Sequence, residues 1–294
     1  DEDQTIFRDT GRLRRTAGGA RGPPVYAGDE WMPRFAANLS TLFTELPFRS
    51  RFTAARMAGF DAVEITFPYD HPAEALAAEL GMQNMQLVMF NAPCGDWEAG
   101  DRGLAALPGR EAQFAASIEA ALAYADVTGC AVVNVMTGVL PPTVDPDHAH
   151  STLLANLRQA ADAAAAKNVT LVIEPVSIHE IPGYFLNEFP LAVRILESLA
   201  HPNLGLLFDI YSRQILHGDI AAAIQECVPL TRHYQIANAP YRADPVHGEL
   251  NFDYLFRLID ESGYDGWMGC EYNPVKGTKA SLEWFKPYRT RVTL

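Results

Sequence analysis

Four apolar runs in the second half of the chain each carry, at or near their end, a side chain that can offer oxygen to a cation. V-T-L-V-I-E ends on Glu174, L-G-L-L-F-D on Asp209 and W-M-G-C-E on Glu271, while H-Y-Q-I-A carries Gln235. For a single strand-end Asp or Glu, a helix cap or an ion pair is the simpler reading. Four such residues on four successive runs change that. If the runs are neighbouring parallel strands, three carboxylates and an amide meet at one low-dielectric rim. There the carboxylates repel one another and resist ionisation unless a cation compensates them. Oxygen-only ligation with one neutral amide suits one hard or borderline divalent ion per chain. Mg²⁺ or Mn²⁺ fits best, with Co²⁺ able to substitute, whereas zinc prefers nitrogen or sulfur.

The elements that must position these residues read as an alternation of apolar strands and amphipathic or Ala-rich helices. Strands are expected at 34–39, 62–67, 85–90, 131–136, 170–174, 205–209, 233–237 and 267–271. Helices are expected at 47–58, 72–80, 109–128, 147–167, 188–199, 220–226 and 252–262, with 278–288 after the last strand. Gly59, Gly81, Gly129 and Gly263 stand where helices should stop. Eight strand–helix units close into a (β/α)8 barrel, which removes every sheet edge and gathers strand C-termini on one active face. An open doubly wound sheet would carry a Gly-rich phosphate turn after its first strand. Here S-T-L follows the first strand instead.

Composition agrees. The chain has 294 residues, 48% of them hydrophobic and 20% charged, enough apolar material for a barrel of roughly 250 residues as one domain. The formal net charge of −13 opposes a surface built to neutralise phosphate backbones, so no nucleic-acid partner is expected. Cys94, Cys130, Cys227 and Cys270 stand far apart, which reads as a reducing, cytoplasmic setting. No apolar run reaches the roughly 18 residues of a membrane span. Residues 1–31, rich in Arg, Gly and Pro, lack the apolar stretch of a secretory signal. They read as a disordered tail, an appended segment or a start placed too far upstream, with Met32 the functional beginning and 32–294 a single catalytic barrel; a structured arm at a subunit contact is the alternative.

From Met32 to about Phe285 the sequence resembles the hydroxypyruvate isomerase family of the xylose-isomerase-like TIM barrels, which also include ketose 3-epimerases. The stretches that carry the likeness are F-A-A-N-L-S (Phe35–Ser40), G-F-D-A-V-E-I-T-F-P-Y-D (Gly59–Asp70), G-D-W-E-A-G-D-R-G (Gly95–Gly103), P-G-R (Pro108–Arg110), I-E-P-V (Ile173–Val176), I-P-G-Y (Ile181–Tyr184), F-D-I-Y (Phe208–Tyr211), H-Y-Q-I-A (His233–Ala237), G-E-L-N-F-D-Y-L-F (Gly248–Phe256) and C-E-Y-N-P (Cys270–Pro274). The resemblance implies a metal held by Glu174, Asp209, Gln235 and Glu271, with Gln235 where related epimerases usually carry His. It also implies that Glu174 and Glu271 form the proton-transfer pair. Two departures stand out: Ser212 follows D-I-Y where the family commonly has His, and Phe90 precedes Asn91 where His-Asn is often found. A hydroxyl can donate a hydrogen bond but cannot carry imidazolium charge.

The implied reaction interconverts hydroxypyruvate and 2-hydroxy-3-oxopropanoate by enediolate proton transfer. A 2-oxo-tetronate isomerase or a ketose 3-epimerase is the near alternative. A barrel that only binds sugar is a distant one, opposed by the retention of two acid/base groups. A phosphodiesterase of the endonuclease IV type would need His-rich metal sites and a basic groove. Arg242 is the candidate for binding a substrate carboxylate in bidentate fashion, with Arg102 and Arg110 behind it. Glu64, Ser212, Asn91 and His179 are further candidates for substrate contact, and Phe67, Tyr69 and Trp97 for the pocket wall. Each has a structural alternative: a buried pair for Glu64, a solvated loop for His179, lid packing for the aromatics. His233 is expected to begin strand seven at the opposite end of the barrel, in a structural role. The partner expected is a small hydroxy-carbonyl acid or sugar; the reading leaves room for a homo-oligomer and expects no membrane partner.

Overall fold

A computed structural model of the chain describes residues 33–289; the reading of 1–31 and of Met32 as a start lies outside them. Eight parallel strands close in sequence order: β1 (Arg34–Asn38), β2 (Ala62–Ile65), β3 (Gln86–Asn91), β4 (Val132–Asn134), β5 (Thr170–Ile173), β6 (Leu204–Asp209), β7 (Thr231–Gln235) and β8 (Trp267–Cys270). The closing pair is β1 with β8, in register from Arg34 opposite Trp267 to Ala37 opposite Cys270. Covering helices are α1 (Phe48–Ala58), α2 (Ala73–Gln83), α3 (Glu111–Thr128), α4 (Pro146–Ala165), α5 (Phe189–Leu199), α6 (Ile210–Leu216), α7 (Ile220–Cys227), α8 (Phe252–Glu261) and α9 (Thr278–Ser281). The expected eight strands are all found.

Period-2 alternation sorts each strand into two faces. Outward residues such as Phe35, Val63, Leu171, Ile173, Leu206 and Phe208 join one large core with the helices. Two small clusters stand apart from it, Ala36 with Ala62, Val88 and Trp267, and Met89 with Val172, Leu207 and Val132. They draw on every strand but β7 and fill the barrel interior as packed layers. The polar residues one step further along the same faces therefore emerge above this plug.

Three points of local structure need correction. Gly81 does not stop α2, which runs on to Gln83 and ends at Asn84 with φ 50°. The short helix α6 was not expected at all. It begins directly on the last residue of β6, and Asp209 is its N-cap, Oδ1 accepting from the Tyr211 N–H at 2.8 Å. The last expected helix is also shorter, α9 giving way to a 3₁₀ turn at Glu283–Phe285.

Candidate active site

Glu174 follows β5, Asp209 ends β6, Gln235 ends β7 and Glu271 follows β8. The register sets Asp209 directly opposite Gln235. The sequence-derived quartet therefore does come to one rim. Asp209, Gln235 and Ser212 are buried, while Glu174 and Glu271 are partly so.

Beneath the rim lies a network the sequence did not reveal. Glu64 of β2 is fully buried, and its Oε2 lies 2.7 Å from His233 Nε2. Its Oε1 accepts from Asn38 Nδ2 at 2.9 Å and from Gln235 Nε2 at 3.0 Å. Since β2 and β7 are not neighbours in the ring, these bonds cross the barrel interior. Gly269 of β8 makes this possible, because a Cβ there would collide with the Glu64 carboxylate. His233 is corrected accordingly: β7 starts two residues earlier than expected, and His233 lies mid-strand, facing inward on the side of Gln235. Of the two readings of Glu64, substrate contact or a buried pair, the structure shows the second: with no exposed surface and both oxygens engaged, it lies beneath Gln235 and Glu271.

Two buried asparagines hold the two outer glutamates. Asn38 Nδ2 also donates to Glu271 Oε1 at 3.1 Å, and its Oδ1 is fixed by the Ser40 N–H at 2.8 Å. Asn134 Nδ2 donates to Glu174 Oε2 at 3.3 Å and to Asn91 Oδ1 at 3.1 Å. The rule that singled out the quartet, a polar side chain at a strand end, also fits Asn38 and Asn134. Neutral amides create no charge conflict, so nothing called attention to them.

Arg242 enters from the β7–α8 loop with φ 52°, a conformation uncommon for a residue with a Cβ and often found where a surrounding structure enforces it. The loop is pinned by paired backbone bonds between Asn238 and Ala243 and by the buried Asn238 side chain, which binds the Pro245 carbonyl and the Leu250 N–H. Arg242 Nη2 donates to Asp209 Oδ2 at 2.9 Å and to Glu271 Oε2, while Nη1 donates to Glu180 Oε1 at 2.8 Å. Its guanidinium stands over the Tyr211 ring, 4.9 Å from the centroid. Burial works against the Arg242 charge, but Asp209, Glu271, Glu180 and Glu174 more than offset it and hold the group protonated.

The carboxylates respond to the same crowding. Burial, then Asp209 and Glu271, push Glu174 well above the usual carboxylate range, with Arg242 opposing. Burial lifts Glu271 to about 7, although Arg242 pulls it back. As the side chains stand, no three His, Cys, Asp or Glu among the described residues gather tightly enough to enclose one ion; Arg242 lies between Asp209 and Glu271. The donor set nevertheless fits a divalent cation. Gln235 Oε1 is buried and accepts no hydrogen bond, a costly state for an amide oxygen and the one a cation would relieve.

The remaining candidates divide. Ser212 Oγ donates to Asp209 Oδ2 at 3.2 Å, within the site. Asn91 joins Asn134, and Tyr69 donates to the Asn91 carbonyl at 2.8 Å. Phe67 and Trp97 pack with ring centroids 5.6 Å apart. Trp97 is stacked under Arg102 at 3.6 Å, while Arg110 forms a forked pair with Asp101 at 2.5 and 2.7 Å. Those two arginines thus serve the β3–α3 loop. His179 is exposed. Glu180, its neighbour, is the loop residue that reaches Arg242, and no spacing in the sequence could have shown it.

Residues 52–288 match the model of the xylose isomerase-like TIM barrel family. The chain belongs to that family. It is 48% identical over 260 residues to the 2-oxo-tetronate isomerase of Cupriavidus necator, which covers 88% of this chain and all of that one. It is 40% identical over 258 residues to the hydroxypyruvate isomerase of Escherichia coli, again 88% of this chain and all of the relative. Among solved structures, one described as an AP endonuclease, family 2, from Brucella melitensis superposes with a TM-score of 0.86 at 43% identity, over 88% of this chain and all of that one. The chain is an isomerase of this family, and among the described residues no helix is long and apolar enough to cross a membrane.

Proposed function

We propose that the chain interconverts a short 2-oxo acid bearing a neighbouring hydroxyl with its isomer by proton transfer through an enediolate, hydroxypyruvate and 2-hydroxy-3-oxopropanoate being the leading pair. The observation that carries this is the placing of two partly buried carboxylates on strand ends three strands apart, each steadied by an asparagine. One of the pair Glu174 and Glu271 removes the proton from the hydroxyl-bearing carbon, and the other delivers a proton to the former carbonyl carbon. The hydroxyl proton moves to the oxygen that was the carbonyl, which completes the exchange.

A divalent ion, Mg²⁺ or Mn²⁺ foremost, held by Glu174, Asp209, Gln235 and Glu271 would supply the positive charge that stabilises the enediolate. The unsatisfied Gln235 oxygen and the oxygen-only donor set support it. Arg242 has the forked donors for a substrate carboxylate, though that role requires it to leave at least one of Glu180, Asp209 and Glu271. Ser212, tied to Asp209, lines the same space without the charge of an imidazolium. The free, buried state of all four cysteines supports a reducing, cytoplasmic setting.

The higher identity to the Cupriavidus necator relative favours a second reading, a four-carbon 2-oxo-tetronate as substrate. A panel of hydroxypyruvate, 2-oxo-tetronate and free ketohexoses, followed by NMR in D₂O, tests both. Conversion with deuterium incorporation is expected for the acids. Turnover of ketohexoses with both acids inert would overturn the reading. Dialysis against chelator should remove activity that Mn²⁺ or Mg²⁺ restores, and indifference to chelator would remove the cation from the mechanism.

A further inference from the structure

We propose that Glu64 is a positioning residue that decides which end of the Gln235 amide faces the cation, a role resting on the metal-centred reading given above. An amide ligand poses a problem that a carboxylate or a correctly protonated imidazole does not. Its two ends are nearly isosteric, but only the oxygen can bind a cation. Turned the wrong way, Gln235 would offer an NH₂ group and be useless. Nothing in glutamine itself sets the choice, so a neighbour must.

Glu64 is built to be that neighbour. An ionised carboxylate only accepts hydrogen bonds, so the Gln235 end that meets Glu64 Oε1 at 3.0 Å has to be Nε2. The flipped amide would set oxygen against oxygen in a fully buried position, where an unpaired polar contact is most costly. The oxygen left over is the one that is buried without a hydrogen-bond partner. Glu64 cannot rotate away: His233 engages Oε2 at 2.7 Å, Asn38 donates to Oε1 at 2.9 Å, and the missing side chain of Gly269 gives the carboxylate its fitted space. Asn38 extends the control to Glu271, because its Nδ2 serves Glu64 and Glu271 together while Ser40 holds its oxygen. One buried carboxylate thus orients a neutral ligand directly and a charged ligand through an amide.

Partners lying behind a metal ligand typically contribute about ten- to a hundredfold in metal affinity. In Glu64→Gln the new side chain can present oxygen or NH₂ to Gln235, so the amide loses its instruction. Mn²⁺ titrated calorimetrically into the full metal-free chain, with circular dichroism confirming the fold, should bind about tenfold or more weakly in this variant. A carboxylate at position 235 has no end to choose, so the same change should cost nothing there: Mn²⁺ should bind Gln235→Glu carrying Glu64→Gln at least as tightly as Gln235→Glu alone, whereas lost packing would weaken both backgrounds alike. Unchanged affinity in Glu64→Gln, or an equal loss in the Gln235→Glu background, overturns the proposal. If Glu64→Gln does not fold, Glu64→Asp, whose shorter carboxylate does not reach the Gln235 amide, is titrated in its place with the same two outcomes, and failure of both to fold overturns the proposal. If the unaltered chain does not bind Mn²⁺, the metal reading itself fails, and with it the proposal.

Discussion

The two glutamates that flank the mouth are held in opposite ways. Glu174 is steadied by Asn134, itself tied to Asn91, so its hydrogen-bonding neighbours are neutral amides. Glu271 shares Asn38 with the buried Glu64 and also takes a guanidinium hydrogen bond from Arg242. Neutral amides fix a carboxylate in space without stabilising its charge strongly, whereas a guanidinium does both. One glutamate is therefore simply aimed. The other is aimed and electrically tuned.

The sharpest way to break this comparison is to neutralise each partner in turn. Glu271→Gln and Glu174→Gln should each lower turnover by about a thousandfold or more with the circular dichroism spectrum unchanged; near-normal turnover in either would remove that residue from the proton-transfer pair. Next in size is the contrast between the two holds. Arg242→Ala leaves Asp209 and Glu271 without their shared cation and should destabilise the metal-free protein by about 3 kcal/mol. Asn134→Ala should cost about 1 kcal/mol. Equal losses in urea denaturation would show that charge adds nothing to the Glu271 side.

The pH dependence of stability sharpens the same contrast. A carboxyl whose folded pKa lies above its unfolded value binds more protons when folded, so stability falls as pH rises between the two values. For Glu271 that window runs from the ordinary 4.5 to about 7, and Glu174 acts in the same direction. Melting curves of chelated protein should drop across this range, less steeply in Glu271→Gln, and saturating Mn²⁺ should flatten them. A steeper fall in the variant would contradict the assignment. The smallest effect is expected of Ser212→Ala, which loses one hydrogen bond to Asp209; about 1 kcal/mol of stability and a change of only a few-fold in KM should follow.

Most of the architecture was legible because parallel strands buried on both faces read as apolar runs, and the quartet because like charges at strand ends demand an explanation. What was missed has physical causes. Helix α6 has seven residues and no linker before it, so Asp209 could be read as a strand end but not also as a cap. His233 was assigned to the wrong level because a strand's first residue cannot be fixed from apolar content when Thr231 and Arg232 precede it. Arg242 was picked out as a cation at the mouth, but its three carboxylate partners come from three different loops and strands, one of them 62 residues away. Such convergence is a property of the closed ring rather than of any local pattern.

Asp209 spends one oxygen on the Tyr211 N–H and is left with the other for Arg242, Ser212 and any bound ion. The start of α6 is thereby wired to the occupancy of the rim. The Tyr211 amide should act as a built-in gauge: its proton chemical shift and its exchange with solvent should change as Mg²⁺ is titrated in, while amides at the far end of the barrel stay still. A single backbone resonance would then follow the loading of the site without substrate, product or turnover.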